Sequence, residues 1–230
     1  MRNLLFVFVV LTGMICFTQQ VQAENVFSLQ VDKHVQTALV NNQLTAVDNF
    51  GTPLVIKLAR QGNIQQLQQL AQQAHNGDFL NARDKYNNNL FHVAKNAPTV
   101  QAIASLIRTY HGANAIQQIE TMVNQRNVLD ETPLFAQINA GHSDTFRLLY
   151  TPSALKQKND AAKNHLARLQ GSDPTIMERN KIIYCQEIRQ LASANGFTLL
   201  QAAQGQIPYN PKMTPLAQDI AQIIPCLAEN

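Results

Sequence analysis

The 230-residue sequence contains no tryptophan, and only 14% of its residues are charged. Its formal net charge is +3, too small for electrostatic attraction to nucleic acid or anionic lipid to be its expected mode of action. Sequence patterns of several enzyme classes are also missing, namely H-E-x-x-H, G-x-S-x-G and a glycine-rich phosphate loop. We therefore expect no catalytic residues, no bound metal and no cofactor.

Cysteine is scarce, and its three positions are Cys16, Cys185 and Cys226. No C-x-x-C pair is present, so neither redox catalysis nor a cysteine-rich zinc site is expected. Cys16 falls in the N-terminal apolar run, which leaves Cys185 and Cys226 as an even pair. In an oxidising compartment this pair predicts a disulfide, worth about 4 kcal/mol in the chain-entropy account. Two buried free thiols are the alternative.

A long hydrophobic run occurs only at the N-terminus, where residues 4 to 17 are almost wholly apolar and follow Arg2. Residues 21 to 23 then read V-Q-A, with small residues where a signal peptidase needs them. The run is shorter than the ~20 residues of a spanning helix, so it predicts a secretory signal peptide cleaved after Ala23. The mature chain would then have no stable membrane insertion. An uncleaved anchor and a lipoprotein attached at Cys16 are alternatives.

The most informative stretch is residues 130 to 149, which read D-E-T-P-L-F-A-Q-I-N-A-G-H-S-D-T-F-R-L-L. Thr132 suits a helix N-cap and Pro133 the first helical position. Gly141 suits the left-handed position that ends a helix, and a second apolar segment follows. Two short helices in tandem bury their apolar faces only against neighbours, so the stretch predicts one unit of a repeat.

Two weaker copies precede it. The first runs from Asp48 to Leu70 and contains G-T-P-L, with one residue more than the pattern before its glycine. The second runs from Asp84 to Ile107, where Asn89 stands for the capping threonine and Pro98 for the helix-ending glycine. The three glycine-equivalent positions, Gly62, Pro98 and Gly141, are 36 and 43 residues apart.

These copies resemble the ankyrin repeat, whose pattern is G-x-T-P-L-H-x-A-A-x-x-G-H-x-x-x-V-x-x-L-L. The resemblance implies an all-α fold, a helical solenoid with helical N- and C-terminal caps. The predicted divisions are a signal peptide (1–23), a cap (24–47), repeats (48–80, 84–123 and 127–150) and a helical C-terminal region (151–230). Whether the last region continues the stack is left open. The resemblance predicts structural roles in the repeats for Thr52, Pro53, Gly62, Asn89, His92, Thr132, Pro133, Gly141 and His142. The two histidines are expected to hydrogen-bond the backbone of the turns.

The resemblance also implies binding of another protein through the repeat tips and the concave face lined by the first helices. The candidate partner-binding residues are Phe50, Asp84, Tyr86, Asn87, Leu129 and Asp130. The rings at positions 50 and 86 either anchor a partner or pack into the stack. We expect a monomer, periplasmic or secreted, without catalytic activity. The alternatives are a secreted effector or hydrolase with catalytic residues in 151–230, and a periplasmic envelope-protection protein.

Overall fold

The computed structural model describes residues 47–228, apart from residues 49 and 75. The predicted signal peptide, its cleavage site and nearly all of the predicted N-terminal cap lie outside these residues. The described chain is mostly helical, in agreement with the all-α prediction, and its strands form one two-stranded antiparallel sheet. No helix within the described residues is long and apolar enough to cross a membrane.

The helices are short and follow one another closely. The first seven are α1 (Leu54–Gln61), α2 (Ile64–Gln72), α3 (Leu90–Val93), α4 (Ala97–His111), α5 (Ala115–Asn124), α6 (Pro133–Asn139) and α7 (Phe146–Tyr150). The C-terminal part contains α8 (Ala154–Arg168), α9 (Pro174–Leu191), β1 (Ser193–Ala194), β2 (Phe197–Thr198), α10 (Leu199–Gln206) and α11 (Met213–Ile223). Short 3-10 turns lie at Asp78–Asn81, Gly112–Asn114, Ser143–Thr145 and Pro225–Leu227.

Helices from successive segments pack in chain order. Helix α1 packs on α3, α3 on α6 and α6 on α10, while α2 packs on α4 and α4 contacts α7. One hydrophobic core runs through all of these contacts, and its largest fully buried side chains include Leu58, Phe91, Ile103, Ile138 and Phe146. Among the described residues, helices of successive segments therefore bury their apolar faces against one another.

The helix signals in the sequence act mostly where they were predicted. The Thr132 side chain caps α6 by accepting the Phe135 N–H at 3.4 Å, and Pro133 is the first residue of that helix. Asn89 caps α3 in a capping box that the third residue of the helix, His92, completes. Gly62 ends α1 with φ +72°, and Gly141 follows α6 with φ +80°, both in the left-handed region that favours glycine.

By analogy with Thr132 and Pro133, Thr52 would cap α1 and Pro53 would be its first residue, but the structure gives both residues other positions. Helix α1 begins at Leu54, so Pro53 occupies the N-cap position and no side chain caps the helix. The Thr52 N–H instead donates to Asp48 Oδ1 in the preceding turn. Counted from the turn residues Asp48, Asp84 and Asn127, the positions 62, 98 and 141 all come 14 residues later. The first copy therefore has no extra residue. Aligning its T-P-L with the T-P-L at 132–134 placed the first copy one position out of register with the third.

Pro98 also has a different role from the predicted one. Asn96 caps α4 by accepting the Thr99 N–H, and Pro98 lies in the first turn of that helix. Helix α3 has already ended at Val93. Proline is tolerated in a first helical turn because the backbone N–H groups there have no intrahelical partner. Pro98 is therefore the second residue of α4, and it does not end α3.

The C-terminal region resumes the order of packing after an interruption. Helices α8 and α9 pack on each other, and α9 also packs on the 3-10 turn Pro225–Leu227. Strands β1 and β2 then form a hairpin whose two turn residues, Asn195 and Gly196, have φ values of +53° and +80°. The hairpin follows α9, which ends at Leu191. Thr198 caps α10. Helix α10 packs on α6 and so continues the series of α1, α3 and α6 as its fourth member.

The predicted disulfide joins the two parts of this region. The sulfur atoms of Cys185 in α9 and Cys226 in the last 3-10 turn are 1.99 Å apart. The Arg189 side chain donates from Nε to the Cys226 carbonyl at 2.8 Å, so the same contact also has a polar component. A cysteine pair at bonding distance fits an oxidising, extracytoplasmic environment.

Candidate partner-binding surface

Three turns of the chain are built in the same way. In each, one side-chain oxygen accepts two backbone N–H groups, from the residues two and four positions later. Asp48 Oδ1 accepts from Phe50 at 2.9 Å and from Thr52 at 2.9 Å. Asp84 Oδ1 accepts from the residues at 86 and 88 at 2.9 and 3.0 Å, and Asn127 Oδ1 from those at 129 and 131 at 2.9 and 3.0 Å. This geometry needs a short Asp or Asn side chain at the first position.

Backbone hydrogen bonds close each of the three turns. The first residue donates its N–H to the carbonyl of the fifth, and the fourth donates to the carbonyl of the first. The fourth residues, Gly51, Asn87 and Asp130, have φ values of +74°, +60° and +59°. Among residues with a side chain, Asn and Asp tolerate this left-handed conformation best. The three turn sequences therefore have two features in common. The first residue is Asp or Asn, and the fourth is Gly, Asn or Asp.

The turns are also bonded to their neighbours. The Val128 N–H donates to the Tyr86 carbonyl at 3.0 Å, and the Asn87 side chain donates to the Arg126 carbonyl at 3.2 Å. The Arg126 guanidinium in turn donates to the Ser193 carbonyl at 3.1 Å, which links the third turn to the hairpin. Turns two and three and the hairpin therefore form a continuous, hydrogen-bonded edge of the molecule.

Four successive segments each expose one large apolar side chain beside their turn or hairpin. Phe50 is 80% exposed, Tyr86 49%, Leu129 52% and Phe197 60%. The first three occupy the third position of their turns, and Phe197 follows the hairpin turn directly. Large apolar side chains that are exposed together mark interaction surfaces more often than isolated ones do. We call Phe50, Tyr86, Leu129 and Phe197 the tip row.

Ion pairs flank the tip row. Lys57 pairs with Asp48 at 2.9 Å, and Arg126 pairs with Asp130 at 3.0 Å. The Lys85 ammonium lies 5.0 Å from the centre of the Tyr86 ring. Burial raises the pKa of the Asp48 carboxyl, but hydrogen bonds from Thr52, Lys57 and Phe50 bring that pKa below its ordinary value. Asp48 and Asp130 are thus each paired with a cation, and Lys85 lies against the Tyr86 ring.

Two of the predicted partner-binding residues have structural roles instead. Asp84 is buried, holds its turn together and pairs with Arg60 at 3.0 Å, so its carboxylate is not available to a partner. Asn87 supplies the left-handed turn position and bonds the next turn through its side chain. Asp130 likewise takes the left-handed position, but its side chain is exposed and remains at the surface. Phe50, Tyr86 and Leu129 are exposed as a binding role requires.

The two predicted structural histidines lie in one polar network inside the stack. His92 bonds through Nδ1 to Asn89 and through Nε2 to the backbone carbonyl of Glu131 in the third turn, at 3.0 Å. His142 bonds the side chain of Gln137 at 2.8 Å, and not turn backbone as predicted. Gln137 donates onward to the His92 carbonyl at 2.9 Å. The network ties the second unit to the third.

Burial determines the protonation of both rings. It lowers the pKa of His92 to about 4, although the hydrogen bond to Glu131 acts in the opposite direction. Burial also lowers the pKa of His142. Both rings are therefore neutral at pH 7, which suits their hydrogen bonds within the stack. Among the described residues, no group of three or more His, Cys, Asp or Glu side chains is arranged to hold a metal ion.

Sequence reasoning missed two members of the exposed edge. Val128, beside Leu129, is 61% exposed, and Phe197 in the hairpin completes the tip row. The signal for Phe197 was present in N-G-F-T, because Asn-Gly is the strongest short hairpin turn and Thr198 suits a helix cap. Compared with known proteins, the chain matches no protein-family model and no curated protein sequence.

Proposed function

We propose that this chain is an exported protein of the ankyrin-repeat type that binds another protein through the tip row and the adjacent first helices. The observation that carries the proposal is the tip row itself, four exposed apolar side chains on four successive units. The order of helix packing, α1 on α3, α3 on α6 and α6 on α10, supports the repeat assignment. The repeated Asx turns support it as well, because they give each unit the same start.

The chemistry of the tip row favours a protein partner with an apolar stripe. Aromatic and large apolar side chains contribute most of the energy at protein interfaces, and surrounding polar groups exclude water from them. The paired charges at Lys57–Asp48 and Arg126–Asp130 provide such a polar rim.

The export part of the proposal rests on the apolar N-terminal run, the V-Q-A site and the disulfide. Cleavage after Ala23 would give a mature chain that begins at Glu24. Mass spectrometry of the protein from its native host is the direct test. Intact chain from Met1 to Asn230 in the membrane fraction would overturn the cleavage and favour an anchor.

Site-specific photo-crosslinking tests the binding part. A benzophenone amino acid at Tyr86 or Leu129 should yield the same crosslinked partner in living cells. Tyr209 provides the matched control, because it is 84% exposed and lies outside the tip row. A partner that crosslinks equally from position 209, or from none of the three positions, would contradict the proposed surface.

A secreted effector or hydrolase with its active site in 151–230 and an envelope-protection role remain the other hypotheses. In the C-terminal region the conspicuous polar side chains are engaged structurally. Lys158 pairs with Glu187 at 2.5 Å, and Asn159 bonds both the Tyr150 hydroxyl and the Ile223 carbonyl. No observation there favours a reaction over binding, so we give protein binding first place.

A further inference from the structure

A cleft of about 640 Å³ opens between α4, α5 and α7, lined by both of the longer helices and by the residues that follow α7. Its origin lies in a difference of helix length. Helix α4 has 15 residues, whereas α7, which contacts it from the next unit, has only five. The short helix leaves part of the α4 surface uncovered. A volume of this size is within the usual range of small-molecule sites.

The walls of the cleft are mainly apolar. They include Val100, Ala104, Ile116, Ile119, Leu148 and Pro152. Val100 and Ala104 are one turn apart on α4, with Arg108 one turn further along the same face. Ile116 is 72% exposed, which is unusual for an isoleucine on a helix that otherwise packs into the core. The cleft therefore offers apolar surface that the described chain does not cover.

The charged lining of the cleft has a single sign. Arg108 and Arg147 both line it, and no Asp or Glu is among the lining residues. Arg147 pairs with Asp219 at 2.9 Å, so its charge is partly neutralised. Within the described residues the Arg108 guanidinium has no ion pair or side-chain hydrogen bond. Gln101 and Ser105 lie on the same wall and add hydrogen-bonding groups beside it.

From this arrangement we propose that the cleft binds a small amphiphile with an apolar chain and one carboxylate, of the fatty-acid class. The chain lies along the apolar wall of α4 and α5, and the carboxylate contacts Arg108. An arginine presents several N–H donors to a carboxylate in a fixed planar fork, which makes it the preferred partner for this group. The site is separate from the tip row and does not depend on the partner proposed above.

The test uses the purified full chain and a fluorescent probe, 11-(dansylamino)undecanoic acid, whose emission rises in an apolar site. We expect saturable binding of one probe per chain, weaker by about tenfold in Arg108→Gln. The probe's methyl ester should bind the wild type more weakly than the acid, and Arg108→Gln should not weaken it further. Ala104→Phe should weaken binding by narrowing the cleft beside α4. All variants keep the same N-terminal apolar run, so its own affinity for the probe cancels.

Arg168→Gln is the matched control, because Arg168 is also an exposed arginine in the last turn of a helix but lies away from the cleft. It should bind the probe like the wild type, and thermal melting should show that all variants remain folded. Absence of saturable binding, equal affinity for acid and ester, or equal effects of the two arginine changes would overturn the proposal. A dimer that dissociates in Ala104→Phe, without probe binding to the wild type, would instead assign the cleft to a second copy.

Discussion

The first three units begin with a five-residue turn that depends on one Asp or Asn side chain, whereas the fourth begins with a two-stranded hairpin. The turns at Asp48, Asp84 and Asn127 use the same pair of side-chain hydrogen bonds. The hairpin obtains its reversal from Asn195 and Gly196 in left-handed conformations. In both constructions the N-cap of the next helix follows within two residues of the turn. Both also expose an apolar side chain at the outer edge.

The two regions also differ in how they are stabilised. One hydrophobic core runs through both regions, but units one to three also contain a buried polar network around His92. In the C-terminal region α9 buries only Cys185 and Ile188 and is fastened to the chain terminus by the disulfide. A helix with little buried apolar surface, such as α9, gains more from a covalent link. Both structural solutions expose an apolar side chain of the tip row, which is what a shared binding role would require.

The largest expected effect is the loss of the disulfide, which should destabilise the C-terminal region and leave units one to three unchanged. Reduction, or Cys185→Ser with Cys226→Ser, should destabilise the C-terminal region by about 4 kcal/mol in the chain-entropy account, since the bridge spans 41 residues. Hydrogen exchange followed by mass spectrometry should show faster exchange in α9 and α11 and unchanged protection in α4. Equal loosening of α4 would show that the two regions unfold as one.

Acid should destabilise units one to three, which contain His92, more than the C-terminal region. His92 has a folded pKa of about 4, below its ordinary 6.5, so the unfolded chain binds the extra proton between these values. Stability from the neutral ring is therefore fully present above about pH 6.5 and is lost as pH falls toward 4, by roughly 3 kcal/mol. Thermal melts across this range should show the slope in the wild type.

His92→Gln is the control for this acid effect, because glutamine can hydrogen-bond in the stack but does not titrate. Its slope between pH 6.5 and 4 should be smaller than that of the wild type. Part of the slope should remain, since burial lowers the pKa of His142 in the same direction. An unchanged slope in the variant would assign the acid sensitivity to other groups.

The turns of the first three units should depend on one oxygen each. Asp84→Ala removes the acceptor of two backbone N–H groups and the partner of Arg60, and should cost about 2 to 3 kcal/mol. Asp84→Asn keeps the acceptor, as the natural Asn127 does, and should cost much less. Urea unfolding of both variants measures the difference. Equal losses would mean that the ion pair, and not the turn, carries the stability.

The smallest effects concern single caps. Thr132→Ala and Thr198→Ala should each cost about 1 kcal/mol, and Asn89→Ala should cost more because buried Asn89 also donates to the Met122 carbonyl. Gly141→Ala should also cost on the order of 1 kcal/mol, because alanine disfavours the left-handed conformation. Thermal melts test all four. Unchanged melting for both Thr132→Ala and Gly141→Ala would count against the assignment of this segment as a repeat unit.

Much of the helical framework could be predicted from the sequence, because its signals are local. Thr132, Pro133 and Gly141 act through the backbone of their own helix, and the disulfide followed from a count of cysteines. The start of α1 could not be placed, since the T-P-L match outweighed the turn set by Asp48. That turn became apparent only when its side-chain hydrogen bonds could be compared with those of Asp84 and Asn127.

The candidate surface was predicted in part. Phe50, Tyr86 and Leu129 were identified from their positions at tips, but whether they faced solvent depended on how the turns pack. Asp84 was misassigned because an acidic residue in a loop is usually solvated, whereas here it accepts four hydrogen bonds within the protein. The cleft at Arg108 had no sequence signal, because it arises from the unequal lengths of α4 and α7.

The central claim is that the tip row binds a protein partner, and quantitative co-purification from the native host tests it most directly. A variant with Phe50, Tyr86, Leu129 and Phe197 all changed to serine should melt like the wild type and lose its partner at least tenfold. The matched control changes four exposed apolar residues elsewhere, Ile176, Met177, Ile182 and Tyr209, and should retain the partner. If the tip variant keeps its partner, or the control loses it equally, the surface assigned here is not the binding site.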